Sequence, residues 1–286
     1  MSLQKYGAED RILQVFGIRR SGNHAIISWL VQAIGGRVLH LNEVTSPDPY
    51  RSFARAHAYG FSRYELYRRG LKLRGRGGIN RHFISHLFGR TVSEEKVSVG
   101  KLEPNMAATR KNALVLSYED WDLEHPKLEL LLEATGNRIQ PGVDGRRLMI
   151  LRDPYNLFAS LMFSGRLVAR NRNYYRRVWK QYAREYLGHT SHFGDAAVRI
   201  SYSRWRASQE YRRDLCRTLG IPETADVFHS VPSTGGGSSF QGVADTAAEL
   251  QTEKRWEQLQ HDPHYRALFD DEVRELSEQI FGEVPF

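Results

Sequence analysis

The chain has 286 residues, 41% hydrophobic and 26% charged, a balance that belongs to folded soluble proteins and excludes disorder throughout. A formal net charge of +8 predicts negatively charged partners, whether nucleic acid, acidic glycan, anionic lipid or a phosphorylated small molecule, without choosing among them. The single cysteine, Cys216, excludes an intrachain disulfide and a metal site built on several thiolates, and it favours a reducing, cytoplasmic compartment.

Residues 1–10 are polar and have no apolar core of signal-peptide length. The longest apolar stretch, 25–34, is interrupted by Ser28 and Gln32, so neither an export signal nor a membrane span is expected. Residues 12–18 form a short apolar run that breaks at a Gly/Arg/Ser turn and passes into the amphipathic stretch 25–34, closed by Gly35-Gly36: strand, turn, helix. Residues 37–44 read as a second strand before a Pro-containing turn at 46–49. From 51 to 90 ten Lys or Arg accompany the single acid Glu65, interleaved with Tyr59, Phe61, Tyr64 and Tyr67; this predicts a basic helical insertion over about 46–110, outside the core sheet.

Strand patterning returns at 113–117, and a helix carrying Leu128, Leu130, Leu131 and Leu132 closes at Gly136. Residues 147–151 are strand, Pro154 suits the first turn of the next helix, and 174–187 has helical spacing of aromatics and arginines. A last strand at 197–202 leads into a helix ending at Gly220, followed by a Gly/Ser loop at 233–242 and a helical tail over about 245–286. Repeated strand-then-helix units, with no internal repeat and no long linker, predict one α/β domain over 1–286, a parallel sheet with helices on both faces.

The turn after the first strand, Gly17-Ile-Arg-Arg-Ser-Gly22-Asn23-His24, lies where backbone N–H groups and a helix N-terminus bind anions. Gly17 and Gly22 have the spacing of a Walker loop, but Asn23 stands where its phosphate-binding Lys belongs and His24 where its magnesium-holding Ser/Thr belongs. Arg19 and Arg20 add fixed charge that can fork onto phosphate oxygens. The segment resembles the 5′-phosphosulfate loop of sulfotransferases that use 3′-phosphoadenosine 5′-phosphosulfate (PAPS): Arg20 takes the place of the loop lysine, Ser21 and Gly22 match, and Asn23 and His24 stand in for the threonines.

A second segment, Leu151-Arg152-Asp153-Pro154 to Ser160, resembles the 3′-phosphate segment of the same family, with a strand-end Arg152 and Ser160 eight residues on. Two turns of helix separate them, so both can reach one phosphate at the carboxyl edge of the sheet. Tyr202 resembles the strand-end tyrosine near adenine. The loop with Gly237, Ser238 and Ser239 resembles the one that closes over the nucleotide; it lacks Arg-Lys-Gly, leaving that role to these serines, to backbone N–H groups or to Arg255. The resemblance covers about 11–34 and 147–220, more weakly 113–120 and 233–242, and lies nearer the carbohydrate and bacterial branch than the cytosolic aryl and steroid one.

The resemblance implies a P-loop-kinase-like fold and sulfuryl transfer from PAPS to a hydroxyl or amine on a small molecule or glycan, itself anionic in one reading, without a metal. Arg20 would stabilise the charge on the bridging oxygen, by analogy with phosphoryl transfer. For the base it implies Glu119 at the end of the strand 113–119, with Glu43 as runner-up and His40, His57, His82 and His86 as alternatives; Asp120 reads as a helix cap. A P-loop kinase, disfavoured by the missing Lys, and a basic nucleic-acid-binding module are the competing readings.

Overall fold

A computed structural model describes residues 9–61, 95–97, 108–136, 139, 141–223, 254–282 and 285–286, and structural statements concern these. In chain order the elements are β1 (Glu9–Gly17), α1 (Asn23–Ile34), β2 (Val38–Asn42), β3 (Arg55–Tyr59), β4 (Glu95–Val97), β5 (Lys111–Glu119), α2 (Pro126–Gly136), β6 (Asp144–Leu151), α3 (Pro154–Phe163), α4 (Arg172–Leu187), β7 (Val198–Ser201), α5 (Tyr202–Ala207), α6 (Gln209–Leu219), a 3₁₀ turn (Arg255–Gln258), α7 (Pro263–Arg266) and α8 (Asp271–Phe281).

Seven strands form one sheet in the order β4-β3-β2-β5-β1-β6-β7. β2 pairs parallel with β5, and β6 parallel with β7. The carboxyl ends of β1 and β5 meet where Asp120 N–H donates to the Gly17 carbonyl (3.2 Å), and the amino ends of β1 and β6 meet at the Arg11–Asp144 ion pair (3.2 Å), so both neighbours of β1 run parallel to it. Runs such as Ile12-Leu13 in β1, Leu114-Val115-Leu116 in β5 and Leu148 to Leu151 in β6 are buried at consecutive positions. Consecutive burial requires both faces to be covered, the pattern of a parallel α/β sheet rather than of a half-solvated hairpin.

The basic stretch after residue 46 departs from the helical insertion expected there. β3 pairs antiparallel with β2, His40 opposite His57, and β4 antiparallel with β3, extending the sheet edge. The physical reason lies in Arg55-Ala-His-Ala-Tyr59: the small Ala56 and Ala58 pack buried on one face while the backbone satisfies the open ladder of β2, which outweighs the charge of the surrounding sequence. Residues 62–94 and 98–107, with the candidates His82 and His86, lie outside the described residues, as do 224–253 with Gly237, Ser238 and Ser239. The last strand also ends one residue early. Ser201 caps the following helix by accepting from Arg204 N–H (3.5 Å), so Tyr202 opens α5 instead of closing β7.

The chain divides into two compact units, one of 1–14, 34–118 and 130–146 and the other of 15–33, 119–129 and 147–286. The first holds a fully buried ion pair, Lys111 Nζ to Glu9 (3.1 Å), whose carboxylate also accepts from the Tyr50 hydroxyl (2.9 Å). In the second, α4 ends at Gly188, whose left-handed backbone closes the helix. Lys180 of α4 holds Asp270 and Glu272 at 2.7 and 2.9 Å, fastening α8 to it, and Trp179 from the buried face donates to the Arg152 carbonyl (3.0 Å).

Candidate active site

All the candidate residues of the phosphate loop and of β6 and α3 fall in the second unit, together with Glu119, Tyr202 and Arg255. The carboxyl ends of four neighbouring strands supply them: β5 gives Glu119 and Asp120, β1 gives 17–22, β6 gives Arg152 and β7 leads into Tyr202. This is the edge at which open α/β sheets bind ligands.

The loop is a tight turn in which Ser21 N–H donates to the Ile18 carbonyl (3.0 Å). Gly22 has φ +91°, and a Cβ there would run into the Tyr202 ring, so a glycine is required on both counts. Arg20 adopts φ +72° without that freedom, at a cost of about 1–2 kcal/mol. The contacts that hold it include its carbonyl accepting from Arg152 Nη1 (3.0 Å) and its Nε donating to Ser160 Oγ (3.1 Å). Such strain persists where the surroundings over-determine it, as at binding sites. Ser21 is fully buried, and its Oγ has no hydrogen-bond partner among the described residues. Beside it begins α1, where Ala25 N–H and Ile26 N–H both donate to the Gly22 carbonyl (3.0 and 3.1 Å).

Asn23 faces inward. Its Nδ2 donates to the Ile18 carbonyl (3.2 Å) and to Glu119 Oε1 (3.3 Å), and its amide lies over Gly17. These two bonds close the loop. Glu119 also accepts from Arg19 Nε (2.9 Å) and stands 3.9 Å from His24 Nε2. Asp120, expected as a helix cap, instead adopts φ +58° and accepts from Arg19 N–H (2.7 Å) and from the Tyr175 hydroxyl (3.4 Å). Burial raises the Asp120 pKa, against the lowering by the Arg19 N–H and guanidinium. The Glu119-Asp120 pair thus clamps the amino side of the loop through Arg19.

On the other side, Ser160 Oγ accepts from both Arg20 Nε (3.1 Å) and Arg255 Nη1 (3.0 Å). The Arg152 guanidinium lies 5.1 Å from the centre of the Tyr202 ring. Burial first, then repulsion from Arg152 and Arg166, lowers the pKa of Arg20. Burial first, then Arg152, Arg20 and Arg206, pulls Arg255 down to about 10. A set of guanidiniums pressed together in this way is destabilised until an anion joins it.

Sequence patterns alone do not single out the residues that aim this cluster. Asn156 Oδ1 accepts from Arg255 N–H (3.0 Å) and its Nδ2 donates to Asp153, whose carboxylate caps α3. Asn156 and Trp179 are ordinary helix positions in sequence, and only the fold brings them to Arg255 and to Arg152. His40 and Glu43 belong to the first unit. His40 is buried, hydrogen-bonded to Ser117 Oγ (3.0 Å) and stacked on His57 with ring centres 5.3 Å apart. Glu43, at φ +56°, accepts from Asn42 Nδ2 (3.4 Å).

Among the described residues no three His, Cys, Asp or Glu side chains are placed to hold a metal ion, and no helix is long and apolar enough to cross a membrane. No protein-family model matches the chain, and no curated protein matches it in sequence. A similar solved structure is the sulfotransferase domain from the Synechococcus PCC 7002 olefin synthase, with 12% sequence identity over 100% of this chain and 98% of that one, at a TM-score of 0.44.

Proposed function

We propose that the protein is a PAPS-dependent sulfotransferase, nearer the carbohydrate and bacterial branch, that works in a reducing, cytoplasmic compartment on a hydroxyl or amine of a small molecule or anionic glycan. The observation that carries this reading is the convergence of Arg20 and Arg255 on Ser160 Oγ, with Arg152 bonded to the Arg20 carbonyl, beside a loop whose buried Ser21 Oγ lacks a partner among the described residues. Two anion-binding groups side by side suit a nucleotide that carries phosphates at both its 3′ and 5′ positions.

In this reading Arg152, Ser160 and Arg255 hold the 3′-phosphate, and the buried Ser21 Oγ at the positive end of α1 holds the 5′-phosphosulfate. PAPS supplies a sulfuryl group on a phosphate leaving group. Arg20, reaching Ser160 from the loop, sits between the two groups and neutralises charge on the bridging oxygen as it develops, without reorganising at the moment of reaction. Asn23 and Arg19 keep the loop in shape through Glu119 and Asp120.

Thermal unfolding with 3′-phosphoadenosine 5′-phosphate (PAP) and no added magnesium tests the assignment. At about 100 times its dissociation constant PAP should add about 2.7 kcal/mol of stability, because the paired anion site exists only in the folded protein. A shift with ATP and magnesium and none with PAP would instead support the phosphotransferase reading, against which Asn23 stands where a kinase needs lysine.

A further inference from the structure

We infer that His24 takes the acceptor's proton and that Glu119 is its positioning residue, an assignment that rests on reading this site as a sulfuryl-transfer centre. Two observations separate the residues. Both Glu119 oxygens are engaged, Oε2 by Arg19 Nε at 2.9 Å and Oε1 by Asn23 Nδ2 at 3.3 Å, and the side chain is only 6% exposed. His24, in the first turn of α1 immediately after the loop, is 34% exposed. A base has to touch an acceptor arriving from solvent, and His24 is the one of the pair that solvent reaches.

The pairing also has the right chemistry. His24 turns its Nε2 edge toward Glu119 Oε1, 3.9 Å away, which is ion-pair distance once the ring is protonated. Nδ1, on the opposite edge, then serves the acceptor, and the imidazolium that forms is stabilised by the buried carboxylate behind it, the division of labour of a His–carboxylate pair in acyl transfer. The charged groups near the ring include Glu119 itself and, through it, Arg19 of the loop and Asp120 at the end of β5. In the step, the acceptor oxygen bonds to sulfur as the bond from sulfur to the bridging oxygen breaks. That oxygen leaves on PAP with the electron pair, and the acceptor proton passes to His24 Nδ1.

The test compares His24→Gln and Glu119→Gln with the wild-type protein in three measurements: PAP affinity, NMR titration of the histidine rings, and pH dependence of PAP release from PAPS with water as acceptor. His24→Gln is expected to keep PAP affinity, lower turnover by about 10²- to 10⁴-fold and abolish the acid limb of the profile. Glu119→Gln is expected to keep an acid limb but move it, and the His24 ring titration, downward by about one pH unit, since an anion next to an imidazole favours its charged form. Loss of the acid limb in Glu119→Gln together with its retention in His24→Gln would overturn the inference, as would a His24 titration that Glu119→Gln leaves in place. Reduced PAP affinity in both His24→Gln and His24→Asn would make His24 a phosphate ligand instead. Failure of the wild-type protein to bind PAP is a separate outcome, which removes the sulfotransferase reading itself.

Discussion

Replacing Arg255 by Met should make the ligand-free protein more stable and the nucleotide complex weaker. Burial and the Arg152 and Arg20 guanidiniums bring Arg255 down from the ordinary arginine range to about 10. A lowered folded-state pKa means that the unfolded chain holds this proton more tightly. The penalty is therefore fully present at pH 7 and is relieved only as pH climbs through about 10 toward the range where an unfolded arginine titrates. At about 1.4 kcal/mol per tenfold change in acidity the raw penalty is roughly 3 kcal/mol, and relaxation of the surrounding side chains leaves about 1–2 kcal/mol.

Losing the Arg255–Ser160 hydrogen bond offsets part of that gain, although Ser160 Oγ keeps its bond from Arg20 Nε. A net gain of about 1 kcal/mol corresponds to a rise of roughly 2–4 °C in the midpoint of a chain of this size. The same substitution removes a charged hydrogen bond to phosphate worth about 1.5–3 kcal/mol, a loss of roughly 10- to 150-fold in PAP affinity. Differential scanning fluorimetry and calorimetric titration read the two effects on one preparation. A lower midpoint with unchanged PAP affinity would show that Arg255 is a structural cation and would refute the reasoning.

Arg152→Ala should weaken PAP by roughly 10- to 150-fold and barely alter adenosine 5′-phosphosulfate, which has no 3′-phosphate; competition binding with both ligands checks this, and equal losses would place the effect in the loop that Arg152 supports. Gly22→Ala should cost the protein several kcal/mol through its left-handed backbone and the Tyr202 ring together, seen as a lower urea midpoint, whereas Gly35→Ala, with the same backbone sign and open space around it, should cost about 1 kcal/mol. Lys111→Met leaves the buried Glu9 carboxylate without its ion-pair partner and should destabilise by about 3–5 kcal/mol in chemical unfolding, with much of the loss recovered in the double variant Lys111→Met/Glu9→Gln.

Local chemistry was enough to place the strand–turn–helix over 12–34, Pro154 in the first turn of α3, and the glycine stop of α6 at Gly220, because each depends on contacts between residues close in sequence. The same local signals misread 55–59 as part of a helical insertion. Its charge marks a polar exterior, and whether a short alternating segment becomes a strand depends on an open sheet edge contributed by β2.

The order of motifs along the chain defined an α/β protein with two candidate anion-binding segments, and it named Arg20, Arg152 and Ser160 as members of them. Only the tertiary structure could decide what those residues do to one another. Arg20 reaches Ser160 across 140 positions of sequence, Arg255 reaches it across 95, and Glu119 meets Arg19 across 100. The last of these contacts ties the candidate base to the loop, with His24 Nε2 3.9 Å away. Direction and distance between side chains are set by which strand ends lie next to each other in the sheet, and the order β5-β1-β6-β7 differs from the order in which the chain presents them.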